Sequence, residues 1–295
     1  MPHRQVRVVD VFTDKPLTGN QLGVVLDCKD LSSRLMQRIA RELNFAETTF
    51  VLPPDNPAHA AKVRIFTPVL ELPFAGHPTI GTAWVLANEG LVNGLEFTLE
   101  EGVGRVPVRG VKENGRVTFW MTHPGLSFGD VIPHKQVAET IGVAEDQIVH
   151  DVPAQLATTG NPFLYVALRD EGAVDSAAPD TVRVGKLLRG NRGHGVYLFA
   201  ATGEGRLYGR MFAVDVPEDP ATGSAAGPLG AFAVKNGLVA GGPEVAIAVE
   251  QGTKMGRQST IHIALVYGES TDVPTRIEVG GGVQPVLSGT LSEFV

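Results

Sequence analysis

PFAGHPTIGTA at residues 73–83 and DPATGSAAGPL at residues 219–229 are the two stretches that decide the fold of this chain. Aligned at an offset of 146 residues, they superimpose Ala75 on Ala221, and a glycine on a glycine six positions later. Each stretch leads from a loop of small residues into an apolar segment with glycine on one face, which is typical of a buried helix. Because the offset is nearly half of the 295 residues, we infer an internal duplication.

Four helices are predicted in total. The clearest covers residues 32–44, where leucine and isoleucine recur at a spacing of four and a serine can cap the first turn. The second should begin at Pro78, since proline is favoured at the first helical position. The predicted helices after the first are residues 78–88, Lys135–Ile141 and Ser224–Asn236, with Gly237 as the stop of the last.

Short runs of alternating apolar and polar residues fill most of the remaining chain. They are residues 6–12, 22–26, 48–52, 62–66, 105–109, 116–121, 163–168, 196–199, 207–214, 245–249, 261–267 and 276–279. Strands outnumber helices and do not alternate with them one for one, as a parallel βαβ protein would require. The predicted class is α+β, with each half wrapping strands around one buried helix.

The composition excludes several classes of function. With 25 Lys and Arg against 32 Asp and Glu, the net charge of −7 argues against nucleic acid as a partner. The single cysteine, Cys28, leaves no disulfide framework, and the eight histidines form no HExxH motif, so we expect neither a metal nor a cofactor. No signal segment or run of about 18 apolar residues is present, and we expect a cytoplasmic protein without a membrane partner.

The two predicted helix starts favour an anion site. Helix N-termini present unpaired N–H groups and a partial positive charge, so two facing ones would suit a carboxylate and an enolate-like oxygen. Neither loop is a nucleotide P-loop, because no Gly-Lys-Ser/Thr sequence follows.

The sequence resembles the PhzF-like isomerases of phenazine biosynthesis, which are related in fold to diaminopimelate epimerase and proline racemase. The matching stretches are VDVFT at 9–13, GN at 19–20, AETTFV at 46–51, FTP at 66–68, LPFAGHP at 72–78, RMF at 210–212, EDPATGSAAGP at 218–228, and QG through GR at 251–257. The resemblance implies two diaminopimelate-epimerase-like, barrel-like domains, residues 1–122 plus 285–295 and residues 123–284, with the active site in the cleft between them. It also implies a homodimer and a C-terminal strand that returns to the first domain.

The resemblance also implies the site residues. Racemase relatives carry one cysteine at each helix start, but here Ala75 and Ala221 stand there, so the acid/base must come from elsewhere. In the family, the glutamate of the AETTF motif is the catalytic acid/base, which here is Glu47. Burial beside the β-branched residues that follow it would favour its neutral form. The same matching assigns His77 and Asp219 to the catalytic site, with Asp219 expected to bond Glu47, and substrate binding to Asn20, Gly76, Gly223 and Ser224.

The predicted activity is isomerisation of a small cyclic or unsaturated carboxylic acid such as dihydro-3-hydroxyanthranilate, by a proton moved from one carbon to another. Two alternatives stay open: a non-catalytic member of the fold that binds a carboxylate or a protein, and an epimerase or lyase. Departures from the family pattern leave the substrate open. Gln21 and Gly23 replace a Pro and an Ala of a GNPxA motif, and the loop at residues 213–217 is shorter than in phenazine enzymes.

Overall fold

The structure is a computed structural model that describes residues 4–190, 193–214, 218–269 and 273–292. These residues form six α-helices: α1 Ser33–Leu43, α2 Gly76–Asn88, α3 His134–Ile141, α4 Glu171–Ser176, α5 Thr181–Leu188 and α6 Gly223–Lys235. They also form seventeen strands: β1 Arg4–Val11, β2 Asn20–Val25, β3 Glu47–Leu52, β4 Ala61–Phe66, β5 Glu71–Leu72, β6 Glu96–Glu101, β7 Gly104–Glu113, β8 Arg116–Thr122, β9 Ser127–Ile132, β10 Ala154–Thr158, β11 Phe163–Ala167, β12 Gly195–Gly203, β13 Arg206–Ala213, β14 Glu244–Gln251, β15 Ser259–Val266, β16 Arg276–Gly281 and β17 Val283–Leu291.

The chain divides into two compact units, Met1–Thr122 with Gly280–Val295 and His123–Val279. In the first unit, β1 pairs antiparallel with β2 and with the C-terminal strand β17. The order then continues through a parallel β2–β3 pair, antiparallel β3–β4, parallel β4–β6 and antiparallel β6–β7–β8. Helix α1 lies in the β2–β3 crossover and α2 in the β4–β6 crossover.

The second unit repeats this order of pairing directions. Strands β10 and β11 are antiparallel, β11–β12 parallel, β12–β13 antiparallel, β13–β14 parallel and β14–β15 antiparallel. Helix α6 occupies the β13–β14 crossover, as α2 occupies its counterpart. The α+β class and the duplicated, strand-rich architecture are therefore confirmed, although the described pairings leave the sheet open.

Each unit is built on its buried helix. Helices α2 and α6 both have 13 residues, and nearly all of their side chains are buried. Since both helices are apolar on every face, only strands packed around them can remove that surface from water. Thr49 on β3 and Thr82 on α2 share a hydrogen bond of 2.8 Å between their buried hydroxyls, which sets the height of α2 along β3.

The structure corrects three details of the sequence prediction. Helix α2 begins at Gly76, two residues before Pro78, because proline is tolerated anywhere in a first turn whose N–H groups have no helical partner. The N-termini of α2 and α6 are 147 residues apart, so Ala75 corresponds to Thr222 and not to Ala221. Helices α4 and α5 were not predicted, although Asp170 and Asp180 cap them.

No helix in the described part of the chain is both long and apolar enough to cross a membrane.

Candidate active site

Glu47 and His77 lie side by side in the first unit. The His77 Nε2 atom is 3.3 Å from Glu47 Oε2, and the two side chains are only 5% and 17% exposed, respectively. Glu47 is the first residue of β3, and His77 is the second residue of α2. Because side chains alternate along a strand, Glu47 shares a face with Thr49, whose hydroxyl bonds α2. The strand thus presents its carboxyl group to the start of the helix.

The chain reaches Glu47 through the crossover helix α1. Ser32 caps the start of this helix, and Asn44 ends it with φ at 53°, a left-handed conformation that turns the chain into β3. Strand β3 then runs parallel to β2 with Glu47 opposite Leu22. This register places Glu47 one residue along from Gln21, whose backbone bonds His77.

His77 is a neutral imidazole. Burial lowers its pKa to about 3, while the hydrogen bond to the Gln21 backbone opposes this shift, as a carbonyl acceptor does. Nε2 makes no hydrogen bond in the described part of the chain, so Nδ1 is the atom that donates to Gln21. A neutral ring with its proton on Nδ1 turns the lone pair of Nε2 towards Glu47.

The N-terminus of α2 has no side-chain cap. Its cap residue, Ala75, has no side chain that could accept a hydrogen bond from the first turn. The same holds for α6, where Thr222 is the cap residue and makes no capping bond, whereas Ser32, Asp170 and Asp180 cap α1, α4 and α5. Uncapped N–H groups at the positive end of a helix favour carboxylate or oxyanion ligands. Gly76, the first residue of α2, was predicted to supply one of these groups.

Asp219 lies in a hydrogen-bonded loop of the second unit. The Thr222 hydroxyl donates to Asp219 Oδ2 at 2.6 Å, and Gln251 Nε2 donates to the Asp219 carbonyl at 2.7 Å and to Thr222 Oγ1 at 3.1 Å. The Tyr197 hydroxyl donates to Gln251 Oε1 at 2.6 Å. Burial and the nearby charge of Asp219 raise the pKa of Tyr197, so its hydroxyl stays a donor. This network holds the carboxylate of Asp219 in one orientation.

The backbone around this loop is equally constrained. Gly252 has φ at +78°, and a Cβ there would lie 2.5 Å from the Arg257 carbonyl oxygen and 2.6 Å from that of Pro220. Ser259 also donates to the Pro220 carbonyl at 2.9 Å. The chain that carries Asp219 is thus packed directly against the turn after β14.

Arg210 holds the chain that enters the loop. Its guanidinium bonds both carboxylate oxygens of Glu218, at 2.8 and 2.9 Å, and also the carbonyls of Val174 and Ala177. Such bidentate pairs fix geometry more firmly than single bonds. Of the short loop at residues 213–217 that was predicted to affect substrate choice, residues 215–217 lie outside the described part of the chain.

The remaining predicted residues fall at the expected elements. Gly223 and Ser224 are the first two residues of α6 and are buried, and Asn20 is the buried first residue of β2. The contacts of Asn20, Gly223 and Ser224 with a substrate, and the bond between Asp219 and Glu47, stay predictions. Cys28 is buried against the Val25 carbonyl, and burial raises its pKa to about 12, so it is not a thiolate.

Sequence reasoning did not assign a role to Gln251, Thr222 or Tyr197. The signal for the first was within reach, because Gln251-Gly252 ends a strand and belongs to the stretches that carry the resemblance. Tyr197 acts through Gln251 and Thr222 bonds Asp219 directly, but a buried tyrosine or threonine cannot be told from a core residue in the sequence. No group of three or more His, Cys, Asp or Glu that could hold a metal ion was found among the described residues.

The fold is shared with proline racemases. The structure of a probable proline racemase from Agrobacterium radiobacter K84 superimposes with a TM-score of 0.65, at 14% identity, over 98% of this chain and 93% of that one. At that identity the likeness shows the fold alone.

The family is identified by closer matches. The profile of the PhzC-PhzF family, "Phenazine biosynthesis-like protein", matches residues 9–289. A trans-2,3-dihydro-3-hydroxyanthranilate isomerase from Pseudomonas aeruginosa is 37% identical over 282 residues, 95% of each chain. The crystal structure of a PhzF-family phenazine biosynthesis protein from Bacillus anthracis has a TM-score of 0.89 at 26% identity, over 99% of this chain and 100% of that one. The chain belongs to the PhzC-PhzF family and is an isomerase.

Proposed function

We propose that this isomerase moves a proton between two carbons of a small unsaturated or cyclic carboxylic acid, with Glu47 as the general acid/base. The contact between Glu47 and the neutral ring of His77 is the observation that carries the proposal. The relative from Pseudomonas aeruginosa is named for trans-2,3-dihydro-3-hydroxyanthranilate, which belongs to this class of compound.

His77 prepares Glu47 for both halves of the reaction. The lone pair of Nε2 accepts the proton of a neutral Glu47 carboxyl, and when Glu47 is ionised no positive charge on the ring holds it as an ion pair. A carboxylate beside a neutral imidazole is a stronger base than one beside an imidazolium. Glu47 can therefore take a proton from one carbon and return it to another on the same face of the substrate.

The N-termini of α2 and α6 bind the negative charge of the substrate. The N–H groups of Gly76 and Gly223 and the hydroxyl of Ser224 donate to the substrate carboxylate, and Asn20 provides a further polar contact. Removing a proton from a carbon conjugated with the carboxyl group builds negative charge on the carboxylate oxygens. Fixed donors stabilise that charge more in the transition state than in the substrate. Asp219, held by Thr222 and Gln251, is the third catalytic residue of this proposal.

The test is proton exchange in deuterated water. Trans-2,3-dihydro-3-hydroxyanthranilate and a panel of small unsaturated carboxylic acids are incubated with the protein, and deuterium incorporation and product are followed by NMR. We expect the wild type to isomerise at least one of them and Glu47→Gln to lose at least about 10³-fold in rate, the scale of a general acid/base. Glu42→Gln, which removes an exposed carboxylate from α1, is the matched control and should keep full activity.

Other outcomes would identify the alternatives. Full activity of a folded Glu47→Gln would overturn the assignment of the acid/base. Exchange at one carbon with inverted configuration would indicate an epimerase, release of water a lyase, and binding without exchange a non-catalytic member of the family. Association into a homodimer is a separate proposal, which sedimentation of the full chain tests.

A further inference from the structure

A second buried carboxyl group, Glu101, lies at the start of α2. It is the last residue of β6, and its Oε1 atom is 2.7 Å from the hydroxyl of Thr79, in the first turn of the helix. The Thr79 hydroxyl is also 2.8 Å from the carbonyl oxygen of Ala75, the cap residue. The proposed function assigns no role to Glu101 or Thr79.

The proton count at Thr79 determines the form of Glu101. A threonine hydroxyl has one hydrogen to donate and two lone pairs. The Ala75 carbonyl can only accept, and when the hydrogen of Thr79 points to it the hydroxyl can only accept from Glu101. The contact between Thr79 Oγ1 and Glu101 Oε1 then needs a hydrogen from Glu101, which must be a neutral carboxylic acid. Burial raises the pKa of Glu101 to about 8, which favours the neutral form, although a hydrogen bond donated by Thr79 would oppose this shift.

The second unit has an amide at the end of the counterpart strand, and this amide contacts the cap residue of α6 instead of a threonine in its first turn. Gln251 is the last residue of β14, the counterpart of β6, and its Nε2 donates to the hydroxyl of Thr222, which in turn donates to Asp219. In both units a glycine follows and packs on the proline of the helix-start loop. A Cβ on Gly102 would lie 2.6 Å from Pro73 Cα, and one on Gly252 would lie 2.6 Å from the Pro220 carbonyl.

We propose that Glu101, as a neutral carboxylic acid, is a positioning residue of the active site: its O–H donates to Thr79 and so fixes the first turn of α2. This inference rests on the proposed function, since that turn carries Gly76 and His77. Glu101 acts through Thr79 and Ala75 and does not touch the substrate. An amide at position 101 should donate to the Thr79 hydroxyl at every pH.

Among the charged and titratable groups near the start of α2, Glu101 is the one that we expect to titrate. His77 is the titratable residue in the first turn of α2, and its low pKa keeps it neutral. On the neighbouring strands, Glu100 is held by His59 and Lys62 by Asp55, while Arg105 is exposed. Arg64 is paired with Glu71, which precedes the loop at Pro73. When Glu101 ionises, the Thr79 hydrogen turns from Ala75 to the carboxylate, and the cap carbonyl loses this bond.

The first experiment measures stability and needs no substrate. The pKa of Glu101 is raised by folding, so the neutral carboxyl stabilises the folded state fully below about pH 4.5, and this stabilisation falls as pH rises to about 8. Urea unfolding of wild type and Glu101→Gln should therefore show wild-type stability declining between pH 5 and 8 relative to the variant, with a constant difference above that range. Glu96→Gln, an exposed carboxylate on the same strand, should follow the wild type. Parallel curves for wild type and Glu101→Gln would overturn the proposal.

The second experiment measures the pH profile of kcat/KM with the substrate found above. We expect the wild type to lose at least about threefold between pH 7 and 9.5, and Glu101→Gln to stay level across that range, which a merely structural role would not produce. Thr79→Val, which removes the intermediate hydroxyl, should lower kcat/KM at every pH. An equal loss of kcat/KM at alkaline pH in Glu101→Gln would contradict this proposal. The role of Glu47 as the acid/base is tested separately by Glu47→Gln. If the wild type turns over none of the compounds, the proposed function fails and the unfolding curves alone decide the state of Glu101.

Discussion

His77 Nε2 lies 3.3 Å from Glu47 Oε2, and the ring carries its single proton on the opposite nitrogen, Nδ1, which donates to the backbone of Gln21. A histidine beside a carboxylate would ordinarily be charged, because the opposite charge favours protonation. Here burial lowers the pKa of His77 to about 3 against the opposing hydrogen bond to the Gln21 backbone, so a neutral ring faces the Glu47 carboxyl group. This arrangement suits a carboxyl group that must exchange a proton with a substrate.

The neutral state of His77 can be observed directly. With its pKa lowered to about 3, the ring should stay uncharged from pH 5 to 8, and ¹⁵N NMR of labelled imidazoles should show the proton on Nδ1 throughout. His150 is the internal control, because it is fully exposed and its hydrogen bond to Asp151 raises its pKa, so its ring should show a titration that His77 lacks. A His77 signal that titrates together with that of His150 would contradict the assignment.

Replacing Gln251 by leucine should loosen the loop that carries Asp219. The variant keeps the volume but leaves the Asp219 carbonyl and the Tyr197 hydroxyl without their partner, and each lost buried hydrogen bond costs about 1–3 kcal/mol. We expect a loss of roughly 2–5 kcal/mol in urea unfolding, together with a lower kcat/KM. Gln136→Leu, at an exposed position on α3, should change the free energy of unfolding by less than about 0.5 kcal/mol.

Gly252 and Gly256 flank one turn, and substituting each of them distinguishes the cost of backbone strain from the cost of a steric collision. Gly252 and Gly256 both have left-handed φ, +78° and +70°, but a Cβ has open space at Gly256 and would collide with two carbonyl oxygens at Gly252. Gly256→Ala should cost only the conformational strain of about 1 kcal/mol. Gly252→Ala should cost clearly more and lower activity, since the Pro220 chain must move. Equal losses in thermal or urea unfolding would show that the turn yields without displacing that chain.

Cys28 should be inert in the folded protein. Its side chain is buried among the core residues under α1, and burial raises its pKa to about 12. We expect iodoacetamide to label it in 6 M urea but not in the native state at pH 8, as mass spectrometry would show. Cys28→Ala should keep its isomerase activity, because the chemistry does not depend on a thiol. A loss of activity in a variant that remains folded would indicate that Cys28 takes part in the reaction.

The fold was largely predictable because its strongest signals are local. The spacing of apolar residues in α1, the alternation in most strands and the two small-residue helix starts all report burial directly in the sequence. Helices α4 and α5, of six and eight residues, were missed because so few turns give a weak period, and only Asp170 and Asp180 mark their starts. The one-residue error in the repeat offset arose because alanine and glycine recur in both loops, while the true match depends on where each helix begins.

The sequence by itself determined the family, the duplicated α+β architecture and the identity of the candidate residues, because the two helix-start motifs and AETTF are written in contiguous residues. Only the tertiary structure decided the states of those residues. The proton of His77 is placed by burial and by Gln21, 56 positions earlier in the chain, and that of Glu101 by a hydroxyl 22 positions away. Protonation depends on solvent access and on hydrogen-bond partners, and both exist only once distant segments have packed together.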